Sequence, residues 1–183
     1  MVAKLAVFDI DDTLLASNKT FLKSTLTSIK KLKQQQINVA IATGRNLAMA
    51  KAVIHKLDLN DFVLCNGSAA FANHQQVHEH TLSRDNMATL VAAADANNID
   101  IIFESLDGLH AHTHLNEQTR RVLHTFRAPT VEYAPNYYLD NDIYQVKSNR
   151  LHNFTAPFAK LVDIRTDASR VYSDSDRTKH LWI

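Results

Sequence analysis

The sequence Leu-Ala-Val-Phe-Asp-Ile-Asp-Asp-Thr at residues 5–13 carries the clearest signal for the fold of this chain. Its first four residues form a short apolar run, which is typical of a strand buried on both faces of a parallel sheet. The run ends in three carboxylates, Asp9, Asp11 and Asp12. Carboxylates this close repel one another unless a cation or a substrate electrophile lies among them. Because ligand sites in open α/β sheets lie at the carboxyl ends of strands, the stretch predicts a buried strand that ends at a functional site.

Outward from this strand, the chain alternates between short apolar runs and segments with helical spacing. Apolar residues recur at helical spacing over residues 23–36 and again from Leu47 to Leu57, which predicts two helices. Short apolar runs at 37–42 and 61–65 predict two further strands. The resulting β-α-β-α-β order predicts a parallel, Rossmann-like sheet covered by helices, so the expected fold class is α/β.

From residue 81 the pattern becomes typical of an α+β domain, and the Asp107-Gly108 dipeptide predicts a hairpin turn. Two helices are expected near Met87–Ala94 and Val122–Phe126, and strands are expected at 99–104, 109–114, 143–147, 161–165, 169–173 and 180–183. The chain is therefore expected to contain a parallel-sheet domain at 1–80 and a smaller α+β domain, with a mainly antiparallel sheet, at 81–183.

The composition excludes several classes of protein. Lys and Arg total 20 and Asp and Glu total 19 in 183 residues, so the formal charge is +1. This balance provides no general attraction for nucleic acid or for an anionic membrane surface. No apolar run approaches the roughly 20 residues of a membrane helix. The single cysteine, Cys65, excludes an internal disulfide and fits a reducing cytosol, so a cytoplasmic protein is expected.

A second polar segment, Thr43-Gly44-Arg45, follows the second predicted strand. Because neighbouring parallel strands end at the same edge of a sheet, we expect this segment to lie close to Asp9. The Thr43 hydroxyl can donate to a phosphate oxygen, and Gly44 permits close approach of the backbone. The amides at the start of the next helix also favour an anion. Taken alone, the segment is better explained as an ordinary strand-to-helix turn, in which Thr and Gly are common.

The aspartates after the first strand suit phosphoryl chemistry. Asp9 and Asp11 are two residues apart and would share a face in a straight strand, whereas Asp12 would point away. One carboxylate of such a pair can attack phosphorus while the other transfers protons, and Mg²⁺ prefers oxygen ligands. The alternative is an acidic, solvent-exposed loop in which an aspartate caps a helix.

The sequence FDIDDTLL, followed by IATGR, resembles the haloacid dehalogenase-like (HAD) phosphohydrolase superfamily. The first motif of that family, DxDxT, matches at Asp9, Asp11 and Thr13. Its second motif, a Ser or Thr after the second strand, matches at Thr43. The TGR triplet, the later Asn66-Gly67 and the long α+β insert resemble the Cof-type branch, which carries its cap domain between the second and third motifs.

The resemblance implies a Mg²⁺-dependent phosphatase that acts on small phosphorylated metabolites through an aspartyl-phosphate. Asp9 would be the nucleophile, and Asp11 would protonate the leaving group and later activate water. Mg²⁺ would bind an Asp9 carboxylate oxygen and the Asp11 main-chain carbonyl. The residues expected around the substrate are Thr13, Thr43, Gly44, Arg45 and Asn66, with Thr43 holding the phosphoryl group and Thr13 supporting the loop. Arg45 has two interpretations of equal weight, which are contact with the phosphate and capping of a carboxylate.

The sequence also departs from the family's pattern. The third motif, a Lys or Arg, and the fourth, an acidic pair within GDxxND, are not recognisable, and Lys160, Lys179 and Asp174-Ser175-Asp176 are poor substitutes. Asp12 stands where this branch usually has glycine, which we treat as a tolerable change. Loss of one electrostatic stabiliser of a transition state costs on the order of 10²–10³ in rate. We therefore expect a family member truncated after the cap, and a very poor phosphatase.

Two other functions remain as alternatives. The first is a non-catalytic remnant that binds phosphate, a metabolite or a protein partner without turnover. The second is a receiver-like phosphoacceptor, which would need an aspartate at the end of the third strand. Cys65-Asn66-Gly67 stands there instead, so the receiver ranks far lower.

The first strand is also a candidate interface. In the family, two strands that follow the cap flank this strand, and without them Leu5–Phe8 would be a sheet edge with apolar side chains on both faces. Such an edge can pair with another chain, so a homodimer through the exposed edge, or poor solubility, is expected unless something covers the edge.

Three histidines carry a weaker signal. His110, His112 and His114 alternate along a predicted strand and would share one face. Imidazoles so placed can bind Zn²⁺ or Ni²⁺, but a polar sheet face is favoured, because no acidic or thiol partner has evident metal-site spacing. Cys65 follows an apolar run and is expected in the core.

Overall fold

The computed structural model describes residues 4–125, 128–148 and 181–182. The chain divides into two compact units, Met1–His80 and Thr81–Ile183. The elements of the first unit are β1 (Leu5–Phe8), α1 (Lys23–Gln34), β2 (Asn38–Ala42), α2 (Leu47–Leu57), β3 (Asp61–Leu64), β4 (Ala69–Ala72) and β5 (Gln75–Glu79). The elements of the second unit are α3 (Arg84–Asn97), β6 (Ile101–Glu104), β7 (Leu109–Ala111), α4 (Glu117–Thr125), β8 (Val131–Tyr133), β9 (Gln145–Ser148) and β10 (Leu181–Trp182).

The first unit contains a five-stranded sheet in the order β1-β2-β3-β4-β5. Strands β1, β2 and β3 are parallel, whereas β4 and β5 are antiparallel to their neighbours. Strand β2, which lies between β1 and β3, is buried over three successive residues, Val39–Ile41, because strands flank it on both sides and both of its faces are covered. The predicted α/β class and the Rossmann-like β-α-β-α-β order are therefore confirmed.

The two helices of this unit begin and end for identifiable reasons. The side chain of Asn46 accepts a hydrogen bond from the Met49 N–H (2.9 Å) and caps α2. The buried residues of α2 recur at helical spacing and are Ala50, Val53, Ile54 and Leu57. Helix α1 ends at Gln34, two residues earlier than predicted, because Gln36 takes a left-handed φ of 57°. No helix among the described residues is long and apolar enough to cross a membrane.

Strand β1 lies at one end of the strand order of the described sheet. Its burial alternates, because Leu5 and Val7 point to one face and are 60% and 51% exposed, while Ala6 and Phe8 point to the other and are half-buried. The described sheet therefore presents apolar side chains at this edge, mainly on one face.

The hairpin formed by β4 and β5 was not predicted. Its strands read Ala-Ala-Phe-Ala and Gln-Gln-Val-His-Glu, which lack the β-branched or aromatic alternation that signals a strand. The turn uses Asn73 and His74, which take left-handed φ values of 49° and 62°. All five residues of β5 are exposed, so pairing with β4 rather than burial of side chains forms this strand.

The second unit contains a sheet in the order β10-β9-β6-β7-β8. Every pair is antiparallel except β7 with β8, so the predicted mainly antiparallel sheet is present. Helix α3 covers one face with Met87, Val91 and Ala94, which pack in one core cluster with Phe103 and Val146. Strand β8 was not predicted, because three residues are too short to show periodicity. The predicted strands at 161–165 and 169–173 lie outside the described residues.

Candidate active site

The loop that follows β1 turns sharply. Ile10 is fully buried, and its carbonyl accepts hydrogen bonds from the N–H groups of Leu14 (3.1 Å) and Leu15 (2.9 Å). The expectation that Asp9 and Asp11 share a face of a straight strand is wrong, because β1 ends at Phe8 and the chain enters this turn at Ile10. The turn, rather than strand alternation, sets where the two carboxylates point.

Two cations hold the Asp11 carboxylate. Arg45 donates from Nε to Oδ2 (2.9 Å) and from Nη2 to Oδ1 (2.7 Å), which is a bidentate pair. Lys19 donates from Nζ to the same Oδ1 at 2.9 Å. The side chains of Arg45 and Lys19 are 19% and 25% exposed, against 37% for Asp11, so solvent only partly screens these pairs. Of the two interpretations of Arg45, the structure shows the capping of a carboxylate.

The two aspartates differ in their electrostatics. Burial raises the pKa of the Asp9 carboxyl above its usual value, and the negative charge of Asp11 adds to this, while the Ile10 main chain and the Arg45 charge oppose it. For Asp11, burial also acts to raise the pKa, but the hydrogen bonds from Arg45 and Lys19 outweigh it and lower the pKa. Asp11 is therefore the more firmly ionised carboxylate, and Arg45 is close enough to act on both.

Lys19 is the site residue that the sequence did not reveal. It lies in a tight turn in which its N–H donates to the Ala16 carbonyl (2.7 Å) and the Ala16 N–H donates to the Thr20 carbonyl (3.0 Å). The Asn18 side chain accepts from the Thr20 N–H (3.1 Å), and Lys19 takes a left-handed φ of 62°. The Ser17-Asn18 dipeptide signals such a turn, but nothing in it indicates that the turn carries Lys19 back to Asp11.

Thr43 and Arg45 lie in the loop between β2 and α2. Thr43 is buried, and its hydroxyl oxygen accepts a hydrogen bond from the Arg45 N–H at 3.2 Å. A hydroxyl that accepts in this way keeps its own hydrogen to donate. The Arg45 side chain also donates from Nη1 to the Met49 carbonyl at 3.3 Å. These bonds hold the loop main chain while leaving one Thr43 hydrogen available in the turn before α2.

The loop after β3 packs against the loop after β2. The Cys65 N–H donates to the Arg45 carbonyl (3.0 Å), and the Asn66 N–H donates to the Thr43 carbonyl (3.1 Å). Cys65 and Asn66 both take left-handed φ values, 51° and 55°. A Cβ on Gly44 would lie 2.8 Å from Asn66 Oδ1, so this close approach requires glycine. Cys65 is fully buried, as predicted.

The loops that follow β1, β2 and β3 therefore meet at the carboxyl ends of these strands. The predicted site residues that lie on them are Asp9, Asp11, Thr43, Gly44, Arg45 and Asn66. Thr13 is exposed in the turn after Asp11. Both side-chain oxygens of Asp11 accept hydrogen bonds from cationic side chains. No group of three or more His, Cys, Asp or Glu side chains within the described residues is arranged to hold a metal ion.

His110, His112 and His114 do not share a strand face. Strand β7 ends at Ala111, so His112 and His114 lie beyond it and the predicted alternation does not apply. Their partners differ: His110 stacks on Tyr137 (3.6 Å between ring centroids), His112 bonds the Pro135 carbonyl (2.8 Å) and Asp95 Oδ1 (2.9 Å), and His114 stacks on Tyr133 (3.9 Å). A shared metal site at these imidazoles has no support.

Known proteins resemble this chain over most of its length. The model of the haloacid dehalogenase-like hydrolase family matches residues 6–174. YkrA of Bacillus subtilis (strain 168) is 28% identical over 121 residues, which are 64% of this chain and 47% of YkrA. The 5-amino-6-(5-phospho-D-ribitylamino)uracil phosphatase YitU of the same strain is 30% identical over 116 residues, which are 60% of this chain and 43% of YitU. The chain thus spans less than half of the length of these curated relatives.

A solved structure shows the same fold. The crystal structure of a protein from Geobacillus kaustophilus HTA426 superposes with a TM-score of 0.85 at 25% sequence identity. The superposed region covers 98% of this chain and 69% of the Geobacillus chain. The family model spans most of the chain, and the solved structure shares its fold. The chain therefore belongs to the haloacid dehalogenase-like hydrolase family, as its motifs predicted.

Proposed function

We propose that the protein is a Mg²⁺-dependent phosphomonoester hydrolase that acts on small phosphorylated metabolites. The observation that carries the proposal is the Arg45–Asp11 pair, which ties the loop after β1 to the loop after β2 beside Asp9. The name of YitU, a phosphatase of a small phosphorylated compound, supports this substrate class. A chain with one buried cysteine also suits the cytoplasm, which we propose as its location.

In the proposed reaction, Asp9 is the nucleophile. An Asp9 carboxylate oxygen forms a bond to phosphorus while the bond from phosphorus to the ester oxygen breaks, and the leaving oxygen takes a proton from Asp11. Water then attacks phosphorus, gives its proton to Asp11 and releases phosphate from Asp9. Thr43 donates its hydroxyl hydrogen to a phosphoryl oxygen, and Gly44 keeps the backbone close enough for Asn66 to complete the site. Thr13 supports the loop that carries both aspartates.

The oxygen donors of the first loop fit Mg²⁺. We assign the ion to an Asp9 carboxylate oxygen and the Asp11 main-chain carbonyl, since the Asp11 side chain is already bound by Arg45 and Lys19. Mg²⁺ commonly takes one or two carboxylates and fills its remaining positions with water and substrate phosphate. When bound, it would neutralise charge on the transferring phosphoryl group.

We expect turnover by the 183-residue chain to be weak. No third-motif cation or GDxxND pair is recognisable in its sequence. In addition, Asp11 is held as a carboxylate by two cations, which suits it to accept a proton and opposes its donation of one. A chain that binds phosphate or a metabolite without turnover is the second candidate, and the same two features favour it.

The two compact units correspond in extent to two separate domains. We propose that residues 1–80 are the N-terminal part of the family's core and that residues 81–183 are the cap domain. We further propose that two copies of the chain associate through β1, because its Leu5 and Val7 side chains are exposed at the edge of the described sheet. Neither nucleic acid nor a membrane is proposed as a partner, since the charge is balanced.

The test is hydrolysis of p-nitrophenyl phosphate by mass-verified 183-residue protein, with and without Mg²⁺. We expect slow release of phosphate that needs Mg²⁺ and that Asp9→Asn abolishes. Asp12→Asn is the matched control, because it removes a neighbouring exposed carboxylate from the same loop and should leave turnover unchanged. Turnover that survives Asp9→Asn would contradict the proposal. Phosphate binding with no turnover above Asp9→Asn would favour the second candidate.

A further inference from the structure

Two cationic side chains bind the single carboxylate of Asp11. Lys19 Nζ and Arg45 Nη2 both donate to the same oxygen, Oδ1, at 2.9 and 2.7 Å, while Arg45 Nε holds Oδ2 at 2.9 Å. A bidentate arginine alone can satisfy both oxygens of a carboxylate. The lysine is therefore a second, redundant partner in the arrangement observed.

The charges of the four side chains balance as a group. Asp9 and Asp11 carry two negative charges, and Lys19 and Arg45 carry two positive charges. Arg45 binds Asp11, which lies only two residues from Asp9 on the same loop. A phosphoryl group bound beside Asp9 would therefore attract the Arg45 guanidinium away from Asp11.

The anchoring of the two cations differs in a way that suits such a movement. The Arg45 main chain is held at both ends, by Thr43 Oγ1 (3.2 Å) and the Cys65 N–H (3.0 Å), so the side chain can pivot without disturbing the loop. Beyond Asp11, its guanidinium makes a longer bond of 3.3 Å to the Met49 carbonyl. Lys19, in contrast, sits in a hydrogen-bonded turn that aims its side chain at Asp11.

We propose that Lys19 is a positioning residue that keeps Asp11 paired and in place while Arg45 turns from Asp11 to the phosphoryl group at Asp9. This inference rests on the proposed function, because it requires a phosphoryl group at Asp9. Without Lys19, the movement of Arg45 would leave a half-buried carboxylate without a cationic partner, and Arg45 would be held on Asp11 instead.

Binding of inorganic phosphate in the presence of Mg²⁺, measured by calorimetry on the full chain, tests the proposal without requiring turnover. We expect Lys19→Met to weaken binding about tenfold and Arg45→Met to weaken it by a similar factor. Lys19→Arg should restore nearly full affinity, because it keeps the cation on Asp11. The double variant Lys19→Met/Arg45→Met should bind phosphate no more weakly than Arg45→Met alone. Lys19 affects phosphate binding only by freeing Arg45, so its loss has no further effect once Arg45 is absent. Lys30→Met, an exposed lysine of α1, is the control and should bind like the parent.

The outcomes separate this proposal from the proposed function. Equal phosphate affinity in Lys19→Met and the parent overturns the role of Lys19 and leaves the phosphoryl site standing. Additive losses in the double variant overturn it as well, because Lys19 would then contact phosphate directly. A parent chain that binds no phosphate contradicts the phosphoryl site itself and this proposal with it. Thermal unfolding of each variant shows that it is folded, and Lys19→Gln replaces Lys19→Met if the latter is not.

Discussion

At Gly44, one absent Cβ determines how two loops of the site meet. A Cβ there would lie 2.8 Å from Asn66 Oδ1 and 3.3 Å from Nδ2, so the Asn66 side chain must move to accommodate it. We predict that Gly44→Ala changes the free energy of unfolding by less than about 1 kcal/mol, because the displaced group is the end of a side chain. It should nevertheless weaken binding of inorganic phosphate, measured by calorimetry, since Asn66 leaves its place.

Gly67 provides the matched control for this prediction. It has a φ of 101°, and nothing lies within 4 Å of the position of its Cβ. Gly67→Ala should therefore strain the backbone and lower the free energy of unfolding by about 1–2 kcal/mol. A Gly44→Ala variant that binds phosphate like the parent would show that Asn66 plays no part in the site.

The two aspartates predict opposite effects of pH on stability. The pKa of Asp11 is lowered in the folded state, so the unfolded chain binds more protons at this residue in acid. The ionised Asp11 carboxylate therefore stabilises the fold above the unfolded pKa of about 3.9, and this stabilisation is lost as the pH falls through the lower folded pKa. Asp11→Asn should therefore cost about 1 kcal/mol at pH 7 after screening by solvent, and less near pH 3. The pKa of Asp9 is raised, so ionisation of Asp9 is unfavourable in the folded state and Asp9→Asn should raise the Tm at pH 7 by at most about 2 °C.

Urea unfolding of the parent and Asp11→Asn at pH 7 and pH 3.5, together with thermal unfolding of the parent and Asp9→Asn at pH 7, measures these effects. Two findings would contradict the electrostatic account of the site: an Asp11→Asn penalty that is as large at pH 3.5 as at pH 7, or a lower Tm for Asp9→Asn at pH 7.

At the scale of elements, helices α2 and α3 are capped by side chains in different surroundings. Asn46 is fully buried and accepts the Met49 N–H at 2.9 Å, whereas Ser83 is exposed and accepts the Asn86 N–H at 3.2 Å. We predict that Asn46→Ala lowers the free energy of unfolding by about 2 kcal/mol and Ser83→Ala by about 0.5 kcal/mol. Chemical denaturation measures both, and equal penalties would contradict the assignment of the buried cap. Asn46→Asp should recover part of the loss.

Elements that bury a continuous apolar run could be predicted from the sequence, and those formed by pairing alone could not. The apolar runs predicted β1, β2 and β3 as strands, but the expected burial on both faces is wrong for β1, whose Leu5 and Val7 are exposed, and only β2 is buried over successive residues. The exposed strand β5 and the three-residue strand β8 have no such signal. Lys19 was missed for a related reason, because its role depends on a turn that returns it to Asp11 rather than on a motif.

At the scale of the whole molecule, the edge at β1 predicts self-association. Leu5 and Val7 are 60% and 51% exposed there, and such an edge can pair with the same strand of a second copy. We predict a dimer in light scattering at tens of micromolar and a monomer for Val7→Lys, because a charge opposes burial of the edge. Val77→Lys is the control, because Val77 is 65% exposed on β5, at the other end of the strand order. A monomeric parent would contradict the prediction.

Chemical trapping of a phosphoryl group on Asp9 tests whether this carboxylate is the nucleophile. The 183-residue protein would be incubated with Mg²⁺ and p-nitrophenyl phosphate, quenched, reduced with borohydride and mapped by mass spectrometry. The account predicts reduction of the Asp9 side chain, which requires an acyl phosphate there, and its absence when Mg²⁺ or the substrate is omitted. A modified residue other than Asp9, or no modification under any of these conditions, would contradict the account.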